Sequence, residues 1–198
     1  MIHSNHEKYE AVVIGASAGG LEATIQLLRE LPQNFPLPII IVQHRANDER
    51  TLLEEVIQSN CKITVKQADE KEKIKQGTVY FAPANYHLLV EEDSTLSLTS
   101  DKLVNYSRPS IDVLFETASE VYRKGLIGII LTGSNGDGTE GIKAIKINGG
   151  TTIAENPKTA AFPYMPQSAI NTGYVQYIWE IKEIKNFLLS ILNEHNHA

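Results

Sequence analysis

From residue 11 onward, the chain alternates continuous apolar runs with amphipathic stretches. The three strongest runs are rich in β-branched residues and cover 11–16, 38–43 and 126–132. Short continuous runs of this kind are typical of parallel strands that are buried on both faces. Stretches with helical spacing lie between them; the first is 19–31, which Pro32 ends. The alternation predicts an α/β fold with a mainly parallel sheet.

The weaker segments complete a doubly wound sheet with helices on both faces. Alternating residues in 87–91 and 95–99, around the polar loop 92–94, predict an antiparallel hairpin. We expect a frayed N-terminus over 1–10, one catalytic domain over 11–193 and a polar tail over 194–198. Further strands are predicted at 63–66, 77–83, 151–154 and 174–177, and further helices after a cap at Asp48 or Thr51, from Pro109 to Gly125, and at 139–148, 165–171 and 181–192.

Composition narrows the choice of partners and compartment. The 198 residues carry a net charge of -6, which argues against general nucleic-acid binding. A single cysteine, Cys61, excludes an internal disulfide. The N-terminus lacks the apolar run of a signal peptide, and no stretch approaches the roughly 18 apolar residues of a membrane span. We therefore predict a cytoplasmic protein with no membrane insertion, and nothing in the pattern calls for a metal or a cofactor.

The first strand leads into a glycine-rich turn, Gly15-Ala16-Ser17-Ala18-Gly19, and then into a helix. This geometry fits two chemistries. It resembles a nucleophile elbow that exposes Ser17, and it also resembles a phosphate-binding loop at a helix N-terminus. A dinucleotide-binding oxidoreductase would need glycine in place of Ser17 and an acidic residue after the second strand, where Gln43 and His44 stand. That alternative is therefore disfavoured.

Three residues with complementary chemistry follow buried strands. Ser17 follows the first strand, His44 the second, and Asp137 lies in the loop after 126–132. Carboxyl ends of parallel strands share one sheet edge, so we expect the three to converge. Taken singly, each has an ordinary alternative: Ser17 as a turn residue, His44 as a surface histidine and Asp137 as a helix cap.

Together the three residue types suit acyl transfer. The Ser17 hydroxyl needs a base, histidine is the residue type best suited to act as one near neutral pH, and a carboxylate such as Asp137 orients the imidazole. A tetrahedral oxyanion needs preorganised donors, for which the Ala18 N–H and an amide near Ser134 are candidates.

Six motifs are spread along the chain: Ile14-Gly15-Ala16-Ser17-Ala18-Gly19-Gly20, Val42-Gln43-His44, Tyr80-Phe81-Ala82-Pro83, Arg108-Pro109-Ser110-Ile111-Asp112-Val113-Leu114-Phe115, Leu131-Thr132-Gly133 with Gly136-Asp137-Gly138, and Met165-Pro166. In this order they resemble the catalytic domain of the chemotaxis protein-glutamate methylesterases, the CheB type, from about residue 11 to about 190. The resemblance implies a Ser17–His44–Asp137 triad that hydrolyses glutamate γ-methyl esters on chemoreceptors and releases methanol; some members also deamidate glutamine.

Two residues depart from the family pattern beside the expected site. Ala18 stands where threonine is usual, and Ser134 where methionine contributes to the oxyanion site. Residues 1–10 cannot hold a receiver domain, so we expect the domain to stand alone, with any control exerted by a separate regulatory protein. The expected partner is a methylated chemoreceptor-like protein.

Arg108, Tyr164 and Met165 are further candidates for substrate binding. Arg108 precedes a predicted helix and is suited to a substrate carboxylate or backbone, whereas Tyr164 and Met165 would wall a cleft. The alternative for Arg108 is a solvated arginine near a helix start, and the alternative for Tyr164 and Met165 is core packing. A different class of function also remains open, in which the same fold binds a receptor or signals without catalysis.

Overall fold

The computed structural model describes residues 9–44 and 53–195. At its centre is a seven-stranded parallel sheet with the strand order β3-β4-β2-β1-β7-β8-β9, and a separate antiparallel pair is formed by β5 and β6. The strands are β1 Ala11–Ala16, β2 Ile39–Gln43, β3 Thr64–Gln67, β4 Thr78–Phe81, β5 His87–Val90, β6 Leu96–Thr99, β7 Leu126–Ile130, β8 Thr151–Glu155 and β9 Tyr177–Trp179.

Six described helices cover the two faces of the sheet. Helices α1, α2 and α6 pack on one face, and α3, α4, α5 and the hairpin pack on the other. They are α1 Gly20–Leu28, α2 Leu53–Gln58, α3 Ile111–Tyr122, α4 Thr139–Ile147, α5 Tyr164–Asn171 and α6 Ile181–His195. The predicted doubly wound α/β architecture with its antiparallel hairpin is confirmed.

Successive residues of β1 serve opposite cores. Val12 and Ile14 belong to the core under α1 and α6, whereas Ala11 and Val13 belong to the core under α3 and α4. A strand with both faces buried has no solvent-facing position, which explains the continuous apolar run in the sequence.

The strand order brings three loops together. β1 lies between β2 and β7, and the chain leaves β1 toward one edge of the sheet and later returns beside it to build the other. Ala16 pairs with Gln43 at the ends of β1 and β2, and Gly15 pairs with Ile130 at the ends of β1 and β7. A crevice at such a switch point is where open α/β sheets bind ligands.

Two boundaries, at β9 and α3, differ from the sequence expectation. The last strand is Tyr177–Trp179 rather than 174–177, because the backbone of β8 pairs with residues 177–179. Pro109 precedes α3, whose N-cap is Ser110. The proposed caps Asp48 and Thr51 lie outside the described residues.

The expected frayed N-terminus, 1–10, extends too far into the chain. The Glu10 N–H donates to the Gly125 carbonyl at 2.8 Å, and the Tyr9 ring packs edge-on against Phe187. Residues 9 and 10 therefore belong to the folded unit, whereas 1–8 lie outside the described residues. None of the described helices has both the length and the apolar character that a membrane crossing requires.

Helix α4 approaches α3 closely at Gly141. A Cβ at Gly141 would lie 2.5 Å from the Phe115 Cβ and 3.3 Å from the Asp112 Cα, neither of which is a flexible chain end. We expect Gly141→Ala to lower the free energy of unfolding by about 1–3 kcal/mol, because α4 must move away from α3. Chemical denaturation measures this change. Gly136→Ala is the matched control, since a Cβ there meets nothing within 4 Å; equal stability losses in both variants would contradict the packing explanation.

Candidate active site

Backbone hydrogen bonds fix the turn that carries Ser17. The Ser17 N–H donates to the Thr132 carbonyl at 3.0 Å, and the Ser17 carbonyl accepts from the Gly20 N–H at 2.9 Å. The Gln43 Nε2 donates to the same carbonyl at 2.7 Å. Gly19 has a φ of 77°, a left-handed conformation that glycine adopts without strain. The turn thus holds the half-buried Ser17 beside the ends of β2 and β7.

His44 directly follows β2, and its ring lies between two side chains of the loop after β7. The His44 N–H donates to the Ala16 carbonyl at 2.9 Å, which places His44 next to the Ser17 turn. Its Nε2 lies 2.8 Å from Asp137 Oδ2, and its Nδ1 lies 3.1 Å from Asn135 Nδ2. Both ring nitrogens are therefore engaged.

Asp137 is buried, with 1% of its surface exposed, against the N-terminus of α3. Its Oδ2 accepts from the Ile111 N–H at 2.6 Å, and its Oδ1 accepts from the Asp112 N–H at 3.2 Å and from the Ser110 hydroxyl at 2.8 Å. The first N–H groups of a helix have no partner within the helix and carry its positive dipole end, so a carboxylate is stabilised there.

The hydrogen bonds keep Asp137 charged in spite of its burial. Burial alone would raise the pKa of the Asp137 carboxyl, but hydrogen bonds from His44, from the Ile111 N–H and from the Ser110 hydroxyl, with the charge of His44, hold that pKa below its ordinary value. A charged carboxylate against an imidazole is the arrangement that orients a catalytic base.

A second carboxyl group, Asp112, lies beside the first. Its Oδ1 accepts from the Gly141 N–H at 2.7 Å, and its Oδ2 accepts from Asn105 Nδ2 at 2.7 Å, while the same Nδ2 lies 3.3 Å from Asp137 Oδ1. Burial raises the pKa of Asp112 to about 7, opposed by the Gly141 hydrogen bond and reinforced by the charge of Asp137. The environments thus move the two pKa values apart: the pKa of Asp137 lies below its ordinary value and that of Asp112 above it.

Thr132 joins the Ser17 turn to the loops after β7 and β8. Its hydroxyl donates to the Ala18 carbonyl at 3.0 Å and accepts from the Phe162 N–H at 2.8 Å. Its own N–H donates to the buried Glu155 carboxyl at 2.7 Å. The loops that contain Ala18 and Ser134 are therefore fixed relative to each other.

The candidate oxyanion donors are available. Within the described part of the chain, the N–H groups of Ala18 and Ser134 have no hydrogen-bond acceptor. Ser134 is exposed and Ala18 half-buried, so neither residue is enclosed in the core. Their role stays a prediction.

The structure brings His44 and Asp137 into direct contact and places the Ser17 turn next to them. It shows no hydrogen bond between the Ser17 hydroxyl and His44. Among residues 9–44 and 53–195, the Ser17 hydroxyl makes no hydrogen bond, either to His44 or to any other group. Hydrogen bonds of catalytic groups are often incomplete without substrate. The arrangement without substrate is therefore a hydrogen-bonded His44–Asp137 pair beside a Ser17 hydroxyl that has no hydrogen bond in the described chain.

A cleft of about 480 Å³ opens over His44 and Asn135. Arg108 lines it, but Nη1 of Arg108 is already committed to the carbonyls of Ser100 and Asp101, at 2.6 and 2.8 Å. Its buried Nε has no partner among the described residues. The residue that we expected to meet a substrate thus also holds the loop before α3, and substrate contact remains a prediction.

The two remaining candidates for substrate binding, Tyr164 and Met165, differ in their exposure. Tyr164 is 61% exposed and lines a second cleft of about 540 Å³ with Ser134 and Phe162. Met165 is only 1% exposed, and its sulfur lies 2.6 Å from the position that a Cβ on Gly133 would occupy. Met165 therefore supports the Gly133 loop from inside the core, and the expectation that it walls the cleft is wrong.

Sequence reasoning missed the residues that surround Asp137. Ser110 and Asp112 lie in one of the motifs that carried the family resemblance, which was the available signal. Asn105 and Asn135 lie in polar loops and carried none. His87, the first residue of β5, is buried, and its Nδ1 accepts from the Ser110 N–H at 3.2 Å. No group of three or more potential metal ligands converges in the ranges that the structure covers.

A profile of the family described as CheB methylesterase matches residues 12–188. The chain belongs to the CheB methylesterase family. The crystal structure of the Thermotoga maritima CheB methylesterase catalytic domain superposes with a TM-score of 0.88 at 35% identity, covering 93% of this chain and 99% of that one. The resemblance drawn from the motifs is thereby confirmed.

Two relatives show how the CheB-type domain is distributed. A Leptospira interrogans protein is 49% identical over 183 residues, covering 92% of this chain and 95% of the relative. The Thermotoga maritima protein-glutamate methylesterase/protein-glutamine glutaminase is 37% identical over 184 residues, which are 91% of this chain and 54% of the relative. The chain thus spans nearly the whole of the first protein and about half of the second.

The raised pKa of Asp112 predicts a stability that falls as pH rises. The native state holds the Asp112 proton up to a pKa of about 7, whereas the unfolded chain releases it near the ordinary value of 3.8. Between these values the native state binds more protons, so this group makes the free energy of unfolding decrease with pH and level off above about 7. Urea denaturation from pH 4 to 8, compared between the wild-type chain and Asp112→Asn, measures the effect. The stability of the wild type minus that of the variant should fall as pH rises across that window; a difference that does not change with pH would contradict the raised pKa of Asp112.

Proposed function

We propose that the chain is a serine-type protein-glutamate methylesterase in which Ser17, His44 and Asp137 act as a triad. The observation that carries the proposal is the 2.8 Å pairing of the His44 ring with a buried, ionised Asp137, held next to the Ser17 turn. Family membership and the names of relatives support the substrate class: glutamate γ-methyl esters on a chemoreceptor-like protein, and glutamine amides as a related substrate.

The proposed reaction begins with attack of Ser17 Oγ on the ester carbonyl carbon. The hydroxyl proton passes to His44 Nδ1, while Asp137 stabilises the imidazolium through Nε2. The tetrahedral intermediate collapses by breaking the bond to the methoxy group, which takes the proton from Nδ1 and leaves as methanol. Water, activated by the same nitrogen, then hydrolyses the acyl-enzyme and restores Ser17. With an amide substrate, the same steps release ammonia.

The fixed loops supply the electrostatic part of the proposal. The N–H groups of Ala18 and Ser134 point to no acceptor of their own in the described chain and would donate to the developing oxyanion. Backbone donors keep this role whatever side chain they carry, so the two departures from the family pattern at these positions leave the donors in place.

Exposed apolar side chains on both sides of the site fit a protein substrate. Leu103 and the 97% exposed Tyr106 flank the His44 cleft, and Phe162 and Tyr164 flank the Ser134 cleft. Single exposed apolar residues are common, but two pairs bracketing a site match a partner surface that presents one esterified side chain. A methylated receptor in the cytoplasm, with a separate regulatory protein, completes the proposal.

Ser17→Ala is the direct test. We expect methanol release from a methylated chemoreceptor fragment to fall by about 10⁴-fold or more, because the nucleophile is lost. Gas chromatography of released methanol, or loss of a radiolabelled methyl group, measures it. Ser190→Ala, which removes an exposed hydroxyl on α6, is the control and should retain full activity.

Equal release by the wild-type and Ser17→Ala chains would rule out the assigned nucleophile. If neither chain releases methanol but both bind the receptor fragment, the non-catalytic function would be favoured instead.

A further inference from the structure

The side chain of Asn135 has a fixed orientation. Its Oδ1 accepts from the Asp137 N–H at 3.1 Å, and a backbone N–H can only donate. The amide oxygen must therefore face Asp137, and the amide nitrogen faces His44. That nitrogen lies 3.1 Å from His44 Nδ1.

This orientation assigns the tautomer of His44. The Asn135 amide nitrogen is a donor, so Nδ1 must accept and carries no proton in the neutral ring. The proton then resides on Nε2, which lies 2.8 Å from the ionised Asp137 and donates to it. Nδ1 is left as the one ring nitrogen able to take a proton from Ser17.

We propose that Asn135 is a positioning residue that caps the base nitrogen of His44 in the resting site, and that Ser17 engages His44 only after this cap is released. The inference rests on the proposed function, because it concerns the step in which Ser17 transfers its proton. The Ser17 hydroxyl makes no hydrogen bond within the described chain, as a capped base requires.

The cap cannot persist through the proton transfer. When the Ser17 proton reaches Nδ1, the Nδ1–H and the Asn135 N–H would both be donors facing each other. The Asn135 amide must turn away before or during the transfer, and it lines the cleft of about 480 Å³, where solvent or substrate can accept its hydrogen bond. Each catalytic cycle therefore begins by breaking one hydrogen bond to the base.

Two variants separate the cap from the turn. Asn135→Ser keeps a short oxygen for the Asp137 N–H but cannot reach His44, so it removes the cap alone. Asn135→Asp keeps the size and the turn bond but places an acceptor against Nδ1, which favours a proton there. Asn135 is only half-buried in its loop, and denaturation midpoints close to that of the wild-type chain would show that both variants fold.

Labelling of Ser17 with a fluorophosphonate, followed by mass spectrometry, measures the effect on the base. In this reaction the Ser17 Oγ–P bond forms, the P–F bond breaks, and the Ser17 proton leaves through His44. We expect Asn135→Ser to raise the maximal labelling rate constant by about three- to tenfold, the equivalent of one hydrogen bond, with the half-saturating concentration unchanged. Asn135→Asp should lower the rate constant at least about tenfold. A rate constant in Asn135→Ser equal to or below that of the wild-type chain would overturn the proposal.

The ¹⁵N spectrum of the His44 ring provides a readout that does not depend on activity. The resonances are assigned by their loss in His44→Gln. The wild-type ring should show an unprotonated Nδ1 and a protonated Nε2 at neutral pH, and Asn135→Asp should show a protonated Nδ1. A proton on Nδ1 in the wild-type chain would refute the cap. A chain that fluorophosphonate does not label at all would contradict the proposed function, and the ring spectrum would still decide the inference about Asn135.

Discussion

The negative charge of Asp137 is the constraint on which the rest of the site depends. A carboxylate that is almost fully removed from water is stable only if fixed donors replace its hydration. Two backbone N–H groups at the start of α3, the Ser110 hydroxyl, Asn105 and His44 provide them. Four of these five donors come from the segment 105–112, so α3 and the loop before it have to be in place before His44 has an oriented partner.

The sheet provides the other half of this arrangement. β1 pairs with β2 on one side and β7 on the other, so the loops that follow the three strands meet without long connections. Asp137 follows β7, and α3, whose first N–H groups stabilise the charge of Asp137, packs on one face of the same sheet. The ends of the sheet strands therefore position Asp137 and His44, and the N-terminus of α3 positions the donors that stabilise the Asp137 charge.

The sequence was informative for strands that are buried on both faces, because such strands appear as continuous apolar runs. Residues 11–16 and 126–132 were recognisable as strands because they contain no solvent-facing positions, and the order of strands and loops then predicted that Ser17, His44 and Asp137 share one edge. The predictions for β9 and Met165 failed for physical reasons. β9 is a short edge strand with largely exposed side chains, so the apolar pattern does not mark it. A methionine such as Met165 gives the same sequence signal whether it lines a cleft or fills a core.

The polar surroundings of the site were beyond reach of sequence reasoning. Asn105 and Asn135 resemble any other loop asparagines, and their importance arises from contacts made across 32 and 91 positions of sequence. Asp112 could be recognised as part of a motif, but its raised pKa depends on the burial and on the neighbouring charge that only the packing of α3 against α4 creates.

The hydroxyl of Thr132 gives the site a mechanical property. By bonding to Ala18 on one side and Phe162 on the other, it joins the turn that carries Ser17 and the loops opposite it into a single body. A body of this kind cannot widen or narrow the space between its N–H groups in response to each bound ligand. For the proposed oxyanion donors, the geometry is thus set once, during folding, and they do not have to reorganise for each substrate as the donors of a flexible or solvated site would.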